Sequence, residues 1–152
     1  MTTLSYEMEI KAPVEKVFQY CADPENFMES WPSDVITGSQ QLSGTKGEKG
    51  STFKLRGMYS GKEEEMRMMV TEKWPNGKIR TKQTEGPFKK WESIQEFEGH
   101  DNVTNLRYTI RYELPRTGRF MKMVSHSDGD HIMRQGLEDY IQNVKHKMES
   151  LT

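Results

Sequence analysis

Uncharged polar side chains recur among the aromatic and methionine residues in the middle of the chain. One alternating phase on two neighbouring predicted strands carries Thr81, Gln83, Ser93 and Gln95. A dry core would have to satisfy each of these groups, at a cost of ~1–3 kcal/mol for each one left unpaired. A ligand pocket needs apolar walls with a few convergent donors and acceptors. The pattern therefore favours a pocket. An ordinary core, or a solvent-facing group after a register shift of one residue, is the alternative.

Tyrosine hydroxyls are the candidate acids in this region, and they belong to Tyr59, Tyr108 and Tyr112. Each would act as a hydrogen-bond anchor or as a general acid for enolate chemistry, or would lie at the rim above a packed ring. Acid–base catalysis also needs a positioned partner. The carboxylates on the inward phase, Glu72 and Glu85, fall near strand ends. An enzyme therefore ranks second to a binding protein.

Ionisable residues cluster before the last predicted helix. Within six residues stand His126, Asp128, Asp130 and His131, and His126 and Asp130 are spaced like two metal ligands on one helical face. No third ligand follows at a recognisable spacing, so we predict a solvated bend, with no metal and no cofactor. The single Cys21 lies on an apolar helical face, which predicts a buried, inert thiol.

The composition excludes several classes of protein. With 22 basic and 23 acidic residues the formal charge is −1, whereas a nucleic-acid-binding protein needs a basic surface. No stretch approaches the ~18 apolar residues of a membrane span, and no signal peptide is recognisable at the N-terminus. One cysteine cannot form an internal disulfide, which fits a reducing compartment. We predict a cytoplasmic protein with no integral membrane association and no nucleic-acid partner.

Methionine is unusually abundant among the apolar residues. The chain has 11 Met against seven each of Leu, Ile and Val, together with 6 Phe, 3 Trp and 6 Tyr. Aromatic rings supply large apolar area, and thioether side chains adapt to irregular or variable shapes. The composition therefore predicts an interior of long, flexible and aromatic side chains, suited to the wall of a pocket.

The chain begins with a predicted strand and two short helices. Leu4 to Ile10 alternate apolar and polar residues, as in a half-buried strand. Pro13 suits the start of a helix that continues through Cys21, and Asp23-Pro24 caps a second helix that ends at Trp31.

From Asp34 to Leu114 the hydrophobic period is two, which indicates strands. We predict strands over 35–42, 53–59, 66–74, 79–83, 91–97 and 106–114. Pro75-Asn76-Gly77 predicts a hairpin, because Asn-Gly accepts the positive φ of a type I′ turn. The predicted inward face carries Phe53, Met66, Met68, Trp74, Trp91, Phe97, Tyr108, Ile110 and Tyr112.

Helical spacing returns near the C-terminus, and Gly129 predicts a break or bend at the start of this helix. Its apolar stripe carries Met133, Gly136, Leu137, Tyr140, Val144 and Met148. A meander with one apolar face needs a covering element, and this helix is the only one long enough. We therefore predict an α+β fold in a single domain over 1–152. A curved antiparallel sheet of about seven strands wraps around the long C-terminal helix, with two short helices after the first strand.

Several blocks carry a resemblance to a known family. They are Ile10-Lys11-Ala12-Pro13, Val17-Phe18, Asp23-Pro24-Glu25-Asn26 before Trp31, Leu42-Ser43-Gly44 to Gly50, Trp91, Tyr112-Glu113-Leu114-Pro115 and Gly136-Leu137-Glu138. In these blocks the chain resembles the START-like (SRPBCC) superfamily, in particular its polyketide cyclase/dehydrase and lipid-transport branch. The resemblance implies a helix-grip fold, as in the birch-pollen allergen, with a deep hydrophobic cavity between sheet and terminal helix. It implies no particular reaction, because members include lipid carriers, cyclases, hormone receptors and chaperone activators.

One principal hypothesis follows, with two alternatives. We predict that the protein carries or sequesters a small hydrophobic ligand, such as a lipid, quinone or polyketide-like molecule, as a monomer or weak homodimer. The predicted cavity residues are Phe53, Met66, Met68, Gln83, Trp91, Ser93, Gln95, Phe97, Tyr108, Ile110, Tyr112, Met133 and Leu137. The predicted gate consists of Phe27, Trp31 and Gly47. The alternatives are a cyclase or dehydratase using the same cavity, and a protein-interaction module like the chaperone activators.

Overall fold

One antiparallel sheet forms the framework of the protein. The computed structural model describes residues 1–32, 35–58, 63–114 and 126–150, apart from the side chains of 126–130 and 132. In chain order the strands are β1 (Thr2–Ile10), β2 (Ile36–Ser43), β3 (Thr52–Met58), β4 (Glu63–Trp74), β5 (Lys78–Glu85), β6 (Lys90–His100) and β7 (Val103–Glu113). They pair antiparallel in the order β1-β7-β6-β5-β4-β3-β2. The predicted sheet is confirmed.

The helices of the described structure are α1 (Val14–Ala22), α2 (Pro24–Ser30) and α3 (His126–Ser150). Asp23 caps α2, because its carboxylate accepts a hydrogen bond from Glu25 N at 2.9 Å. The predicted break at Gly129 is wrong, since α3 runs through that residue. One glycine costs a helix only about 1 kcal/mol, which the packing of the following turns offsets. None of these described helices has the length and apolar content needed to cross a bilayer.

A β-bulge in β4 reverses the direction of the side chains near the end of that strand. The pairing slips by one residue between Val70 and Glu72, and such an extra residue turns the following side chains to the other face. Met66 and Met68, before the bulge, are buried, whereas Trp74, after it, is 62% exposed. The prediction that Trp74 faces the core is therefore wrong.

The β4–β5 hairpin is present, but its turn differs from the predicted type. Trp74 pairs with Lys78, so residues 75–77 form a three-residue loop. Gly77 N donates a hydrogen bond to Trp74 O at 2.8 Å, and Asn76 has a φ of 61°. The ring of Pro75 restricts its φ to a negative value, which suits the first central position of a type II turn and leaves the positive φ to Asn76. The type I′ prediction is wrong for this reason.

Helix α3 lies across the sheet and packs against β1, β7 and α2. The predicted apolar stripe of α3 is buried, as shown by Leu137, Tyr140 and Val144. The sheet surface opposite it is also buried and carries Leu4, Ile10, Leu106, Tyr108, Ile110 and Tyr112. This is the predicted α+β helix-grip arrangement. Any interior site must lie between the sheet, α3 and the two short helices.

Candidate functional site

Two small cavities lie inside the fold, between the sheet and the helices. Each has a volume of about 20 Å³, close to the space that one water molecule needs. The polar cavity is lined by Cys21, Ala22, Pro24, Phe27, Phe53, Leu55, Met68, Val70, Ile79, Thr81, Trp91, Ser93 and Gln95. The apolar cavity is lined by Phe27, Trp31, Val35, Ile36, Leu55, Met66, Trp91 and Met133. Because Phe27, Leu55 and Trp91 border both spaces, they form the partition between them.

The structure brings many of the predicted cavity residues to these spaces. Of the predicted residues, the polar cavity is lined by Phe53, Met68, Trp91, Ser93 and Gln95. The apolar cavity is lined by Met66, Trp91 and Met133. Other predicted residues are buried but border neither space, namely Phe97, Tyr108, Ile110, Tyr112 and Leu137. The candidate hydroxyl of Tyr59 lies outside the described residues.

Gln83 has a different position from the one predicted for a ligand-orienting residue. Its side-chain Nε2 donates to Phe88 O at 2.7 Å, and its Oε1 accepts from Phe88 N at 3.2 Å. The amide is therefore engaged on both sides by the backbone of the loop that joins β5 to β6. Gln83 holds this loop closed and does not border either cavity.

The polar side chains of the polar cavity are paired with one another or with α3. Strand pairing places Thr81 opposite Ser93, and their hydroxyl groups hydrogen-bond each other. On α3, Tyr140 Oη donates to Gln95 Oε1 at 2.8 Å in a fully buried contact. These bonds satisfy the side chains that sequence alone predicted to be free for a ligand.

Other buried polar atoms in the same region lack a well-aligned hydrogen-bond partner. Trp31 Nε1, Trp91 Nε1 and Tyr108 Oη are enclosed without a hydrogen bond of normal distance and angle in the described structure. Burial raises the pKa of Tyr108 far above its ordinary value, and weak hydrogen-bonding contacts of its hydroxyl with Ser93 and Trp31 lower it by less. The phenol is therefore neutral at any physiological pH. These atoms, rather than Gln83, are the free hydrogen-bonding capacity of the interior.

Trp31 follows the last residue of α2 and lies within a cluster of aromatic rings. Its ring centroid is 6.0 Å from that of Phe27, 6.3 Å from that of Tyr108 and 6.0 Å from that of Tyr140. The ring also lies flush against Gly136 of α3, where an added Cβ would be 2.4 Å from Trp31 Cζ3. Trp31 thus fills space between the sheet and α3 that a larger cavity would occupy.

The third predicted gate residue, Gly47, packs against the junction of α1 and α2. Its φ is 79°, and a Cβ at this position would lie 2.6 Å from Ala22 O. The neighbouring Lys46 Nζ lies 3.0 Å from Asp23 Oδ1 and 3.3 Å from Glu25 Oε2. Gly47 therefore packs against Ala22, which borders the polar cavity, but the loop itself does not line that cavity.

Alanine at Gly47 is expected to lower the free energy of unfolding by about 2 kcal/mol. Two costs add: alanine is unfavourable in the left-handed backbone conformation, and its Cβ would clash with the backbone of Ala22. Gly50 is the matched control, since its φ is 87° but an added Cβ would meet no atom within 4 Å. Gly50→Ala should therefore cost only about 1 kcal/mol. Urea denaturation measures both values. Equal losses would show that the contact with Ala22 contributes nothing.

Cys21 is the only thiol of the chain, and it borders the polar cavity. Burial raises its pKa to about 12, a rise that a hydrogen bond with Tyr140 partly opposes. The thiol is therefore neutral at neutral pH, as predicted for an inert cysteine.

Cys21 is expected to resist a water-soluble disulfide reagent at pH 8 in the folded protein and to react at once in guanidinium. Because the unfolded thiol ionises near its ordinary value while the folded one stays protonated, folding stability should fall as pH rises between about 9 and 12. Reagent absorbance measures the reaction, and Cys21→Ser is its blank. Fast modification of the folded protein would contradict the buried position.

Among the described residues, no acidic or basic side chain points into either cavity. Neither described lining contains an Asp, Glu, His, Lys or Arg side chain. Glu72 lies beside Arg80 on the outer side of the bulge, and Glu85 is exposed beside Arg67. His131 is exposed, and the side chains of His126, Asp128 and Asp130 lie outside the described residues. Among the described side chains, no group of three His, Cys, Asp or Glu is placed to hold a metal ion.

Sequence reasoning missed one wall of the polar cavity. Ala22 and Pro24 at the α1–α2 junction, and Val70 and Ile79 on the sheet, border it without having been predicted. Strand periodicity identifies the sheet face, but it carries no information about which helix end lies over it. The Asp23-Pro24 cap was the available signal, because it places a sharp turn between two helices that cover the same face.

The geometry agrees with comparisons to known proteins. The profile of the family described as polyketide cyclase / dehydrase and lipid transport matches residues 1–149. A structure from Thermus thermophilus is 17% identical with a TM-score of 0.79, covering 99% of each chain. A START superfamily protein from Mycobacterium smegmatis is 21% identical with a TM-score of 0.74, covering 99% of each chain. Zhui aromatase/cyclase from Streptomyces sp. R1128 is 14% identical with a TM-score of 0.76, covering 97% of this chain and 93% of that one.

A search of curated protein sequences finds no match. The structural neighbours, all of low identity, establish the START-like helix-grip fold and nothing finer. The family profile extends over nearly the whole chain and agrees with the sheet, the short helix pair and the gripped C-terminal helix. The chain belongs to the family described as polyketide cyclase / dehydrase and lipid transport, and it has the START-like helix-grip fold.

Proposed function

We propose that the protein binds a small hydrophobic molecule, such as a lipid, quinone or polyketide-like compound, between the sheet and α3 of one START-like domain over 1–152. The observation that carries the proposal is a pair of buried indole N–H groups without a well-aligned hydrogen-bond partner, Trp31 Nε1 and Trp91 Nε1, on residues that both border the apolar cavity. Native interiors rarely leave such groups unpaired. An apolar ligand with a hydrogen-bond acceptor would fill this cavity and accept a hydrogen bond from one of these N–H groups.

Binding requires the interior to enlarge. The present cavities are about 20 Å³ each, whereas ligand pockets usually measure ~300–1,000 Å³. Helix α2 is only seven residues long, and methionine side chains such as Met66, Met68 and Met133 adapt to new shapes by rotation. We therefore propose that the closed interior opens on the α2 side when a ligand enters.

A cyclase or dehydratase is the alternative function, and one neighbour is described as an aromatase/cyclase. Such a reaction needs a group that gives or takes a proton near neutral pH against the bound ligand. The described linings offer only the neutral Cys21 thiol and hydroxyl or amide groups. No observation on the described residues therefore favours catalysis over binding.

Surface features support a small molecule over a macromolecular partner. The formal charge of −1 gives no overall electrostatic attraction to nucleic acid. The large apolar side chains exposed in the described structure are Met1, Leu42, Met58 and Trp74. Isolated exposed residues of this kind are common in soluble proteins and do not indicate an interface. The interior is the better-supported place of binding.

The proposal predicts that the folded protein binds Nile red, an uncharged apolar dye, with an increase in dye emission. Leu55→Phe should weaken this binding about tenfold or more, because Leu55 borders both cavities and a larger side chain fills them. Leu42→Phe is the matched control, since Leu42 is 37% exposed. Dye titration and native mass spectrometry of the protein as purified are the measurements.

Thermal unfolding must show that Leu55→Phe is folded; if it is not, Val70→Ile gives a smaller filling of the polar cavity. Equal dye binding by the wild type and the Leu55 and Leu42 variants would place the dye on the surface. That result, or the absence of dye binding together with no co-purified apolar molecule, would overturn the proposed function.

A further inference from the structure

We propose that the Trp31 indole occupies the position of the ligand's ring, so that the ligand is a flat, uncharged ring system of about indole size that displaces Trp31. This inference rests on the proposed function and names its substrate class. The position, called the indole seat below, is bounded by Phe27, Tyr108, Gly136 and Tyr140, which contact the Trp31 ring.

The floor of the seat is flat because α3 carries a glycine there. An added Cβ at Gly136 would lie 2.4 Å from Trp31 Cζ3 and 2.9 Å from Trp31 Cε3, far inside van der Waals contact. Glycine is a poor residue for a helix interior, so a buried one in α3 calls for a close neighbour. The shape that Gly136 accommodates is a flat ring lying directly on the helix backbone.

Trp31 fits the seat in shape but not in chemistry. A buried tryptophan usually finds a hydrogen-bond partner for its N–H, yet Trp31 Nε1 has only a weak contact with the Tyr108 hydroxyl, and neither atom makes a hydrogen bond of normal geometry. The apolar cavity of about 20 Å³ also remains along the ring. A ring slightly larger than indole that carries a carbonyl or ether oxygen would fill this void and accept a hydrogen bond from Tyr108.

The seat is suited to an uncharged molecule. Its ionisable groups are the phenols of Tyr108 and Tyr140, and burial raises the pKa of both far above the ordinary value. A carboxylate or ammonium in this position would be buried without a compensating charge.

Trp31 can leave the seat by side-chain rotation while the backbone of α2 stays in place. Asn143 Nδ2 of α3 donates to Ser30 O at 2.8 Å, and the hydroxyls of Tyr20 and Ser30 hydrogen-bond each other at 3.2 Å. These contacts hold the end of α2 at the residue before Trp31. The ring has no well-aligned hydrogen bond to break, only a weak contact with the Tyr108 hydroxyl, so displacement costs mainly apolar contacts that an entering ring restores.

Coumarin, a flat uncharged bicyclic molecule with a carbonyl oxygen, is the probe for this inference. Isothermal titration calorimetry compares the wild type with Trp31→Ala and with Trp31→Ala/Gly136→Ala. Trp31→Ala should bind coumarin about tenfold or more tightly than the wild type, because the competing ring is gone. The double variant should lose most of that gain, because its Cβ projects into the seat. Trp74→Ala removes the same side chain from an exposed position and should match the wild type.

Displacement is tested in the wild type labelled with 5-fluorotryptophan, with the Trp31 fluorine resonance assigned by its loss in Trp31→Phe. Saturating coumarin should move this resonance to the solvent-exposed position. An unmoved Trp31 resonance, or a Gly136 substitution without effect on coumarin binding to Trp31→Ala, would overturn the inference. If Nile red still bound the wild type, the proposed function would stand; if neither probe bound any variant, both would fail. Trp31→Leu replaces Trp31→Ala if the alanine variant does not fold.

Discussion

Alanine at Gly136 is expected to lower the free energy of unfolding by about 2–3 kcal/mol, the cost of overpacking a close-packed interior. The sign is opposite to the ordinary preference of a helix for alanine over glycine. It follows from the 2.4 Å separation that the new Cβ would have from Trp31 Cζ3. The ring can yield only by leaving the indole seat, and its burial is then lost. Urea denaturation followed by circular dichroism measures the change.

A double-mutant cycle with Trp31 isolates this contact. Trp31→Ala alone should cost about 3–5 kcal/mol, because a large buried ring is removed. In that background Gly136→Ala should be neutral or stabilising by up to ~1 kcal/mol, since only helix propensity remains. Gly38→Ala is a control, because its Cβ would meet only Arg56 Cβ at 3.8 Å. If the effects of the Trp31 and Gly136 changes on the free energy of unfolding were additive, the two residues would have no interaction energy, and the proposed close contact would be wrong.

Replacement of two buried tyrosines, Tyr108 and Tyr140, by phenylalanine is expected to change the free energy of unfolding in opposite directions. Tyr108→Phe should raise the free energy of unfolding by up to about 1 kcal/mol, because it removes a buried hydroxyl whose contacts with Ser93 and Trp31 are not hydrogen bonds of normal geometry. Tyr140→Phe should lower it by about 2 kcal/mol, because it leaves Gln95 Oε1 buried without its donor. The two changes delete the same atom type from neighbouring rings whose centroids are 5.0 Å apart, so each is the control for the other.

Although Tyr108→Phe should stabilise the protein, it should weaken ligand binding. Tyr108→Phe should weaken coumarin binding about tenfold, because one hydrogen bond to the ligand is lost. Calorimetry and urea denaturation of the same two variants provide the data. A loss of stability in Tyr108→Phe as large as that in Tyr140→Phe would show that Tyr108 Oη is satisfied in solution. Its assignment to the ligand would then be withdrawn.

Local sequence patterns predict the architecture well, because secondary structure and burial leave a periodic signal in each segment. Alternation in β6 and β7 identifies Trp91, Ser93 and Gln95 as inward residues, and the structure buries all of them. The Asp23-Pro24 pair predicts the start of α2 through the same capping chemistry that the structure shows. These predictions hold because each depends only on neighbours along the chain.

Predictions fail where a single residue changes the phase or the turn. The bulge at the end of β4 has no recognisable signature in the sequence, so Trp74 is assigned to the wrong face. Gln83 is on the predicted phase, but its amide is taken by the backbone of Phe88. Periodicity reports the direction of a side chain, and it cannot report which partner that side chain meets.

Sequence by itself therefore determines the helix-grip family, the strand order along the chain and the group of residues that turns inward. Tertiary structure alone decides how much space remains among them. Trp31 and Gly136 belong to segments far apart in sequence, and the fit of an indole on a bare helix backbone exists only once α2 and α3 meet. Close packing is a property of distances between elements, which no local pattern encodes. The interior was predicted to hold a deep cavity. In the structure it contains two spaces of about 20 Å³, with an aromatic ring between sheet and helix.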